Sequence, residues 1–442
     1  MWGPIIFTQC VFFVVLLICF CSNLFNVTPE NEEYGKMIKF FIPFIITLSA
    51  FSAYHDTLPK GVRTFVYKRV QTDEVLGSYD DQGQFESLDQ VFSLDASLAS
   101  DIDEFKATVT EMKELAPDAY DKFSIGEFKL GAKANINADA FALGWGISDR
   151  ITVYSFIPYM RASVQMDLKK TQENTYQEVG NRLRSNIDCP ECQSIAQAVS
   201  EDIPNVTEEN FQSIIVDELG YKPLGTWEGR GFGDAEIGII YNFYKTVTGG
   251  SAAALGAVAP TGRVDNPDIL QDLSFGDGQW DVFAELGGAK SFFDGLITLN
   301  AFSRFTYQIQ SEKRLRVPFA KGLAISDSTG LFTEKLGNII LGSTYAEFRV
   351  LPYLYINPGF SYEKRFSSSY ESSYANANNF LADNSDLERF SYKLQLELTT
   401  IGLYKNKKFP LPGKLIFGYQ NTFKGTNTPK VSQLEAEVRL FF

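Results

Sequence analysis

Strict alternation of apolar and polar residues over segments of ten or more constrains this chain more than any other feature. Segment 127–144 puts Phe128, Leu130, Ala132, Ala134, Ile136, Ala138, Ala140 and Ala142 on one face, and Glu127, Lys129, Lys133, Asn135, Asn137 and Asp139 on the other. Segment 389–399 alternates Phe390, Tyr392, Leu394, Leu396 and Leu398 with Arg389, Ser391, Lys393, Gln395 and Glu397. The last segment sets Leu434, Ala436, Val438, Leu440 and Phe442 against Gln433, Glu435, Glu437 and Arg439. Successive side chains of a strand point to opposite faces, so each segment reads as a strand with two unlike surroundings. Strands of soluble sandwiches average about five or six residues. Segments beyond about ten match the length a tilted strand needs to cross a bilayer. The expected fold is all-β: a transmembrane, antiparallel, up-and-down β-barrel with short helices in long extracellular loops.

Twelve segments can be marked: about 61–70, 127–144, 150–167, 233–244, 252–262, 278–290, 296–310, 338–350, 353–365, 389–403, 413–424 and 431–442. Single-chain bacterial barrels have even strand numbers, with short turns on the periplasmic side and long loops outside. Short turns fall at 145–149, 245–251, 291–295, 351–352 and 404–412, and longer links at 71–126, 168–232, 263–277, 311–337 and 366–388. Both ends of the barrel chain are therefore expected to be periplasmic. The first strand has the weakest pattern, since both its faces are mixed.

Composition excludes several alternatives. The chain has 442 residues, 45% of them hydrophobic, with one histidine and five cysteines. That is too apolar for intrinsic disorder and too poor in cysteine for a disulfide scaffold. A single histidine, His55, makes zinc hydrolysis or Ser-His catalysis hard to build, and no metal, cofactor or catalytic residue is expected. The formal charge of -14 argues against a nucleic-acid partner. Most of that charge is local, because residues 71–122 hold fourteen acids against three bases.

Two apolar stretches, 5–25 and 38–53, precede the alternating region. The second has a lysine at its start, an apolar core and a small-x-small end, the layout of a secretory signal peptide cleaved after Ser52. Because it opens at Met37, residues 37–52 are expected to be the signal, 1–36 a misassigned extension and 53–442 the barrel. The competing reading is a membrane helix at 5–25.

Gly229-Arg230-Gly231-Phe232-Gly233-Asp234, Ala259-Pro260-Thr261-Gly262 and Phe275-Gly276-Asp277-Gly278-Gln279-Trp280-Asp281 stand in this order. With Trp145-Gly146-Ile147-Ser148-Asp149-Arg150 and Ile157-Pro158-Tyr159, they resemble the outer-membrane barrels associated with phenol and aromatic degradation of the MetA-pathway type. More distantly, that group resembles the long-chain fatty acid transporter family. The resemblance covers most of 123–310. It implies a Gram-negative outer-membrane location, passive transport of small hydrophobic or aromatic compounds, and contact with outer-membrane lipid. Val438, Leu440 and the final Phe442 resemble the signal read by the outer-membrane assembly machinery. Fatty acid transporters have fourteen strands and an N-terminal hatch. This chain counts twelve, with about eight residues between the proposed cleavage and the first strand, too few for a hatch.

The alternation predicts a lumen-facing set. Its acids are Glu127, Asp139, Asp234, Glu236, Asp281, Glu285, Glu347, Glu363, Glu397, Glu435 and Glu437. Its bases are Lys129, Lys133, Arg161, Arg304, Arg349, Arg365, Arg389, Lys393 and Arg439. The two signs balance, which favours cross-strand ion pairs over the one-signed ring of a selective pore. Such a set either lines a small-solute channel or fills the interior. Pro158 and Pro358 cannot donate to a ladder, so each is expected to mark a bulge or gap in the wall. By the fatty acid family's pattern, Pro158 would be a lateral gate. Leu94, Leu98, Ile102, Phe105, Val109, Met112 and Ala116 predict an amphipathic helix ended by Pro117. Phe211, Ile214, Ile215 and Leu219 predict another, stopped by Gly220. Their apolar faces either form a groove for hydrophobic molecules or pack on each other or the rim. Cys189 and Cys192 are expected to close a local disulfide in an exposed loop. The second functional reading is a structural or adhesive barrel with a closed lumen and acidic, partner-binding loops.

Overall fold

The computed structural model describes residues 57–96, 103–186, 189–202, 205–318 and 326–442. Both leader stretches and His55 lie outside the described residues. The barrel strands are β1 (Arg63–Thr72), β2 (Ser124–Ser148), β3 (Ile151–Gln172), β4 (Ala235–Thr246), β5 (Gly249–Ala259) and β6 (Asp281–Phe292). They continue as β7 (Ile297–Gln308), β8 (Ile339–Leu351), β9 (Leu354–Arg365), β10 (Leu387–Thr399), β11 (Gly413–Thr426) and β12 (Ser432–Phe441). Each pairs antiparallel with the next, and β1 pairs with both β2 and β12, so twelve strands close on themselves. Closure leaves no exposed edge and satisfies the backbone internally, which lipid demands.

The tight turns, such as Asp149–Arg150 and Pro352–Tyr353, share one end of the barrel with both chain ends. There Arg63 N donates to Phe442 O at 2.7 Å and Phe442 N returns a bond to Arg63 O at 3.0 Å. One short helix, α7 (Ile401–Lys405), sits in the fifth turn of this end. Ahead of β1, residues 57–61 fold onto the inner wall. Leu58 N donates to Thr152 Oγ1 at 2.8 Å, and Gly61 N to Gly146 O at 2.8 Å.

Large apolar side chains face outward around the wall, including Ile237, Leu255, Leu286 and Leu434, each more than half exposed. So much apolar surface requires lipid rather than water. Aromatic side chains join it near the tight turns, among them Trp145, Tyr241, Phe348 and Tyr353. That is the girdle expected at a membrane interface. Ten strands have 10–14 residues, whereas β2 has 25 and β3 has 22. About 9–11 tilted residues span a bilayer, so this one hairpin stands well above it.

The hairpin carries the outer domain. A strand at Gln90–Asp95 pairs with upper β2, and one at Thr226–Phe232 with upper β3. Leu94 therefore lies in a strand rather than in the expected helix, which is shorter: α1 spans Asp103–Leu115. Leu98 and Ile102 lie outside the described residues. Val109 and Met112 of α1 are buried with Val179 and Leu183 of α3 (Tyr176–Ser185), and with Cys192, Ile195 and Ala196 of α4 (Pro190–Gln197). Phe123, Ile125 and Phe128 of the hairpin's top complete this cluster, and α2 (Pro117–Tyr120) covers its edge. Cys189 and Cys192 are joined by a disulfide at the start of α4. Ile215 and Leu219, just beyond α5 (Glu208–Ser213), pack separately with Tyr221 and Leu270. Arg316 fixes that segment, donating to Leu219 O at 2.8 Å and Gly220 O at 2.9 Å with its plane 3.8 Å from the Tyr221 ring. Among the described side chains, Val109, Met112 and Ala116 of the first predicted face and Ile215 and Leu219 of the second thus belong to separate clusters. A further helix, α6 (Ala375–Ala382), packs on the small outer sheet of Ser311–Arg316, Thr329–Lys335 and Ser369–Glu371.

Candidate functional site

The interior of the barrel is charged, balanced and largely closed by its own ion pairs. Glu236, Asp281, Glu285, Glu347, Glu363, Glu397, Glu435 and Glu437 face inward, as do Arg304, Arg349, Arg365, Arg389, Lys393 and Arg439. Two bases absent from the expected set join them, Lys68 on β1 and Lys414 on β11. Glu435 takes Lys68 at 3.1 Å and Lys393 at 2.7 Å, and Lys414 meets Glu397 at 2.7 Å. Arg439 pairs with Glu437 and Arg389 with Glu363. Higher up, Arg304 holds Glu236 at 2.7 Å and Glu285 at 3.1 Å while lying 3.6 Å over the Phe283 ring. Tyr154 adds a hydrogen bond of 2.7 Å to Glu236. Lys68, Glu435, Glu437 and Arg439 are all under 7% exposed, so the middle of the lumen is packed with side chains.

Five predicted lining residues face the other way. Glu127, Lys129, Lys133, Asp139 and Arg161 lie on the outside of the β2–β3 hairpin, above the lipid-facing band. The register proves the facing: Asp139 lies opposite Arg69, which lies opposite the outward Ala436 of β12. Asp139 there binds Arg161, accepts a 2.7 Å hydrogen bond from Tyr67 and lies 3.6 Å from Arg69. The physical reason is length. The odd face of β2 is charged up to Asp139, then becomes Phe141, Leu143, Trp145 and Ile147, all more than a third exposed. One face of a strand that leaves the bilayer must be apolar within it and polar above.

The even face of the same hairpin therefore lines the inside of the outer mouth with small apolar groups. Ala132, Ala134, Ile136, Ala138, Met160, Ala162, Val164 and Met166 are buried there. They pack against Leu273 and Phe275 from the β5–β6 link, with Val75, Val431 and Trp227. Arg263 caps this apolar layer, its guanidinium 5.0 Å from both the Trp227 and Phe275 rings and salt-bridged to Asp272.

Pro158 faces inward opposite Ala140, and its missing N–H falls on the side away from β2. On that side the facing chain is bulged: Ile157 and Pro158 lie opposite Gly233, Asp234 and Ala235, between the pairs Phe156–Glu236 and Tyr159–Phe232. Pro158 keeps only an acceptor bond, from Gly233 N at 2.8 Å. Asp234 belongs to this bulge rather than to a strand facing the lumen. Its carboxylate turns to the β5–β6 link, accepting from Gly262 N at 2.8 Å and Asp277 N at 3.1 Å. Thr261 bridges the same junction, its hydroxyl donating to Gly233 O at 3.0 Å and accepting from Ala235 N at 2.9 Å. A Cβ on Gly233 would come within 2.7 Å of Pro158 Cγ, so only glycine allows this approach. The three motifs that resembled one family thus meet at one place, the seam between wall and inserted link. Burial and the Asp234 carboxylate push Asp277 up to about 6. Pro358 faces outward and marks a gap rather than a bulge: β9 stays in register with β10 there, but its pairing with β8 lapses between Tyr345–Gly359 and Phe348–Ile356. At the last strand Val438 and Leu440 face outward, and Phe442 is 64% exposed. Among the described residues no three His, Cys, Asp or Glu side chains converge as a metal centre.

Closure, an apolar exterior and a charged interior define a membrane-spanning β-barrel of twelve strands. No family model matches the sequence, and no curated protein matches it. Among solved structures it is similar to an outer membrane channel from Pseudomonas putida F1, at 11% identity over 88% of this chain and 98% of that one, with a TM-score of 0.49. It is also similar to the Ralstonia pickettii toluene transporter TbuX (11% identity, 87% and 90% covered, TM-score 0.33) and to the translocator domain of the autotransporter NalP from Neisseria meningitidis (8%, 87% and 90%, TM-score 0.36). At these identities and TM-scores the likenesses carry no argument about solute or family.

Proposed function

We propose that this chain is a Gram-negative outer-membrane barrel for passive passage of small hydrophobic or aromatic compounds. The observation that carries the reading is the apolar inner wall at the outer mouth, where Ala, Ile, Val and Met side chains replace the charges found lower down. A solute that partitions from water into this layer gains about 25 cal/mol per Å² of apolar surface it buries. It needs no chemistry from the protein, only a path. The bulge opposite Pro158 is the weakest stretch of wall beside that layer, and it supports a lateral exit toward lipid. The motif resemblance to barrels of aromatic degradation points to the same solute class.

One observation favours the second reading, a closed structural or adhesive barrel with acidic loops. The buried pairs around Glu435 and Glu437 leave little free lumen at mid-depth. Purified protein in liposomes separates the two readings. Transport predicts faster entry of an apolar fluorescent probe than in empty liposomes, with little ionic conductance in planar bilayers. Probe entry no faster than in empty liposomes, with protein shown to be folded by its resistance to proteolysis, rules out transport.

A further inference from the structure

The β5–β6 link enters β6 through Asp277-Gly278-Gln279-Trp280-Asp281, which sets three oxygen-bearing side chains at alternate positions. Gly278 has φ of 77°, which lets the chain turn between the first two. Asp277 Oδ1 accepts from Gln279 N at 3.1 Å, tightening that turn. From the neighbouring strand β7, the Gln308 amide reaches into the same space, with Nε2 3.4 Å from Asp277 Oδ2 and 3.3 Å from Asp281 Oδ2. Gln279, Gln308 and Asp281 are 1%, 3% and 6% exposed. Yet both amide atoms of Gln279, Oε1 of Gln308 and Oδ1 of Asp281 have no hydrogen-bond partner. Leaving a buried oxygen unpaired is costly, and Gln308 already links Asp277 to Asp281, so unpaired oxygens on these neighbouring residues call for a partner.

Charge points the same way. Asp277 and Asp281 lie beside Asp234, and the cations near these three carboxylates are shared with other acids. Lys313 lies 3.3 Å from Asp265 and 3.6 Å from Glu334. Arg304 holds Glu236 and Glu285. The site has a surplus of negative charge and a set of hard oxygen donors, with no nitrogen or sulfur ligand.

We propose that Asp277, Gln279, Asp281 and Gln308 bind a divalent cation, Ca²⁺ in preference to Mg²⁺. Carboxylate and amide oxygens at alternate positions of a short glycine-containing turn are a calcium ligand set. Mg²⁺ demands a stricter octahedron and gives up its water reluctantly. The ion would tie the link that carries Leu273 and Phe275 to β6 and β7, holding the apolar cap on the mouth. This assignment is independent of what the barrel transports.

The test uses the purified full-length protein in detergent, stripped with EDTA and titrated with Ca²⁺, Mg²⁺ or Tb³⁺. One Ca²⁺ per chain by calorimetry is expected, with a melting temperature that rises with the logarithm of Ca²⁺ concentration. Tb³⁺ should luminesce on excitation of Trp280 and be displaced by Ca²⁺. Asp281→Asn should weaken binding by at least about tenfold. Gln279→Met, which keeps length and burial while removing the amide oxygen, should also weaken it in a barrel that still folds. Absence of Ca²⁺ binding in the folded wild type, or unchanged affinity in folded Gln279→Met and Asp281→Asn, overturns the site. Equal response to Mg²⁺ overturns the preference for calcium.

Discussion

Lys68 on the first strand and Glu435 on the last lie 3.1 Å apart inside the barrel, both about 4% exposed at the side chain. The pair sits at the seam where the chain closes on itself, and Lys393 binds the same carboxylate from β10. Lys68→Met leaves Glu435 with one charged partner, beside the Gln433 amide, and should cost about 3 kcal/mol, the lower end for breaking a buried pair. Urea unfolding in detergent micelles measures this. Replacing Lys68, Lys393 and Glu435 together by apolar residues should recover much of the loss, since no buried charge is then left alone.

The outward face of the upper hairpin should tolerate change. Lys129→Ala and Lys133→Ala each break an exposed pair, with Asp89 and Glu74, and should shift stability by less than about 1 kcal/mol. Facing can be read directly by labelling single cysteines with a membrane-impermeant maleimide. Lys133→Cys should react readily, and Ala134→Cys, one residue on but 1% exposed in the native protein, should not.

Phe275 closes the mouth by packing on Trp227 and the hairpin's inner wall. Phe275→Ala should loosen that cap by about 3 kcal/mol. Under the transport reading, uptake of an apolar probe into liposomes rises. A fall or no change in folded protein would remove Phe275 from the path.

Gly146 lies against the carbonyl oxygens of Leu58 and Pro59, where any Cβ would collide with backbone. Gly146→Val should displace residues 57–61 from the inner wall. Hydrogen exchange at the Leu58 amide, now bonded to Thr152, should speed up, with the β2–β12 ladders still protected.

The Cys189–Cys192 disulfide closes a very short loop, so its effect on unfolded-chain entropy is small, about 2 kcal/mol by loop length. Reduction should loosen α4 against Val179 and Leu183 without opening the barrel. Protease cleavage between α3 and α4, with unchanged migration of the folded barrel on gels, would report this.

Strand number, antiparallel order and the side on which the chain ends lie were legible because each depends on local pattern and link length. The interior of β10 and β12 was legible too, since Arg389, Lys393, Glu397, Glu435, Glu437 and Arg439 share one parity against large outward leucines. Lys68 escaped because it shares a face with Val66 and Val70, so β1 has no polar stripe of its own. The helices α3 and α4 escaped because their apolar positions are few and matter only once the hairpin's top supplies Phe123 and Phe128. Sequence spacing placed the motif glycines and Asp234 far apart along the chain, and nothing local shows that they meet.

By itself, the sequence determined that the chain makes two-faced strands, how many there are and how they follow one another. Those properties follow from a side-chain period of two and from turn chemistry, which act within a few residues. Which face of the long hairpin points inward was decided only by tertiary structure, because parity is set by pairing with β1 and β12 and by the height at which lipid ends. A charged face is inside where lipid surrounds the wall and outside where water does. The same register that sends Asp139 and Arg161 to the surface brings the small alanines inward, making the apolar mouth on which the transport reading rests.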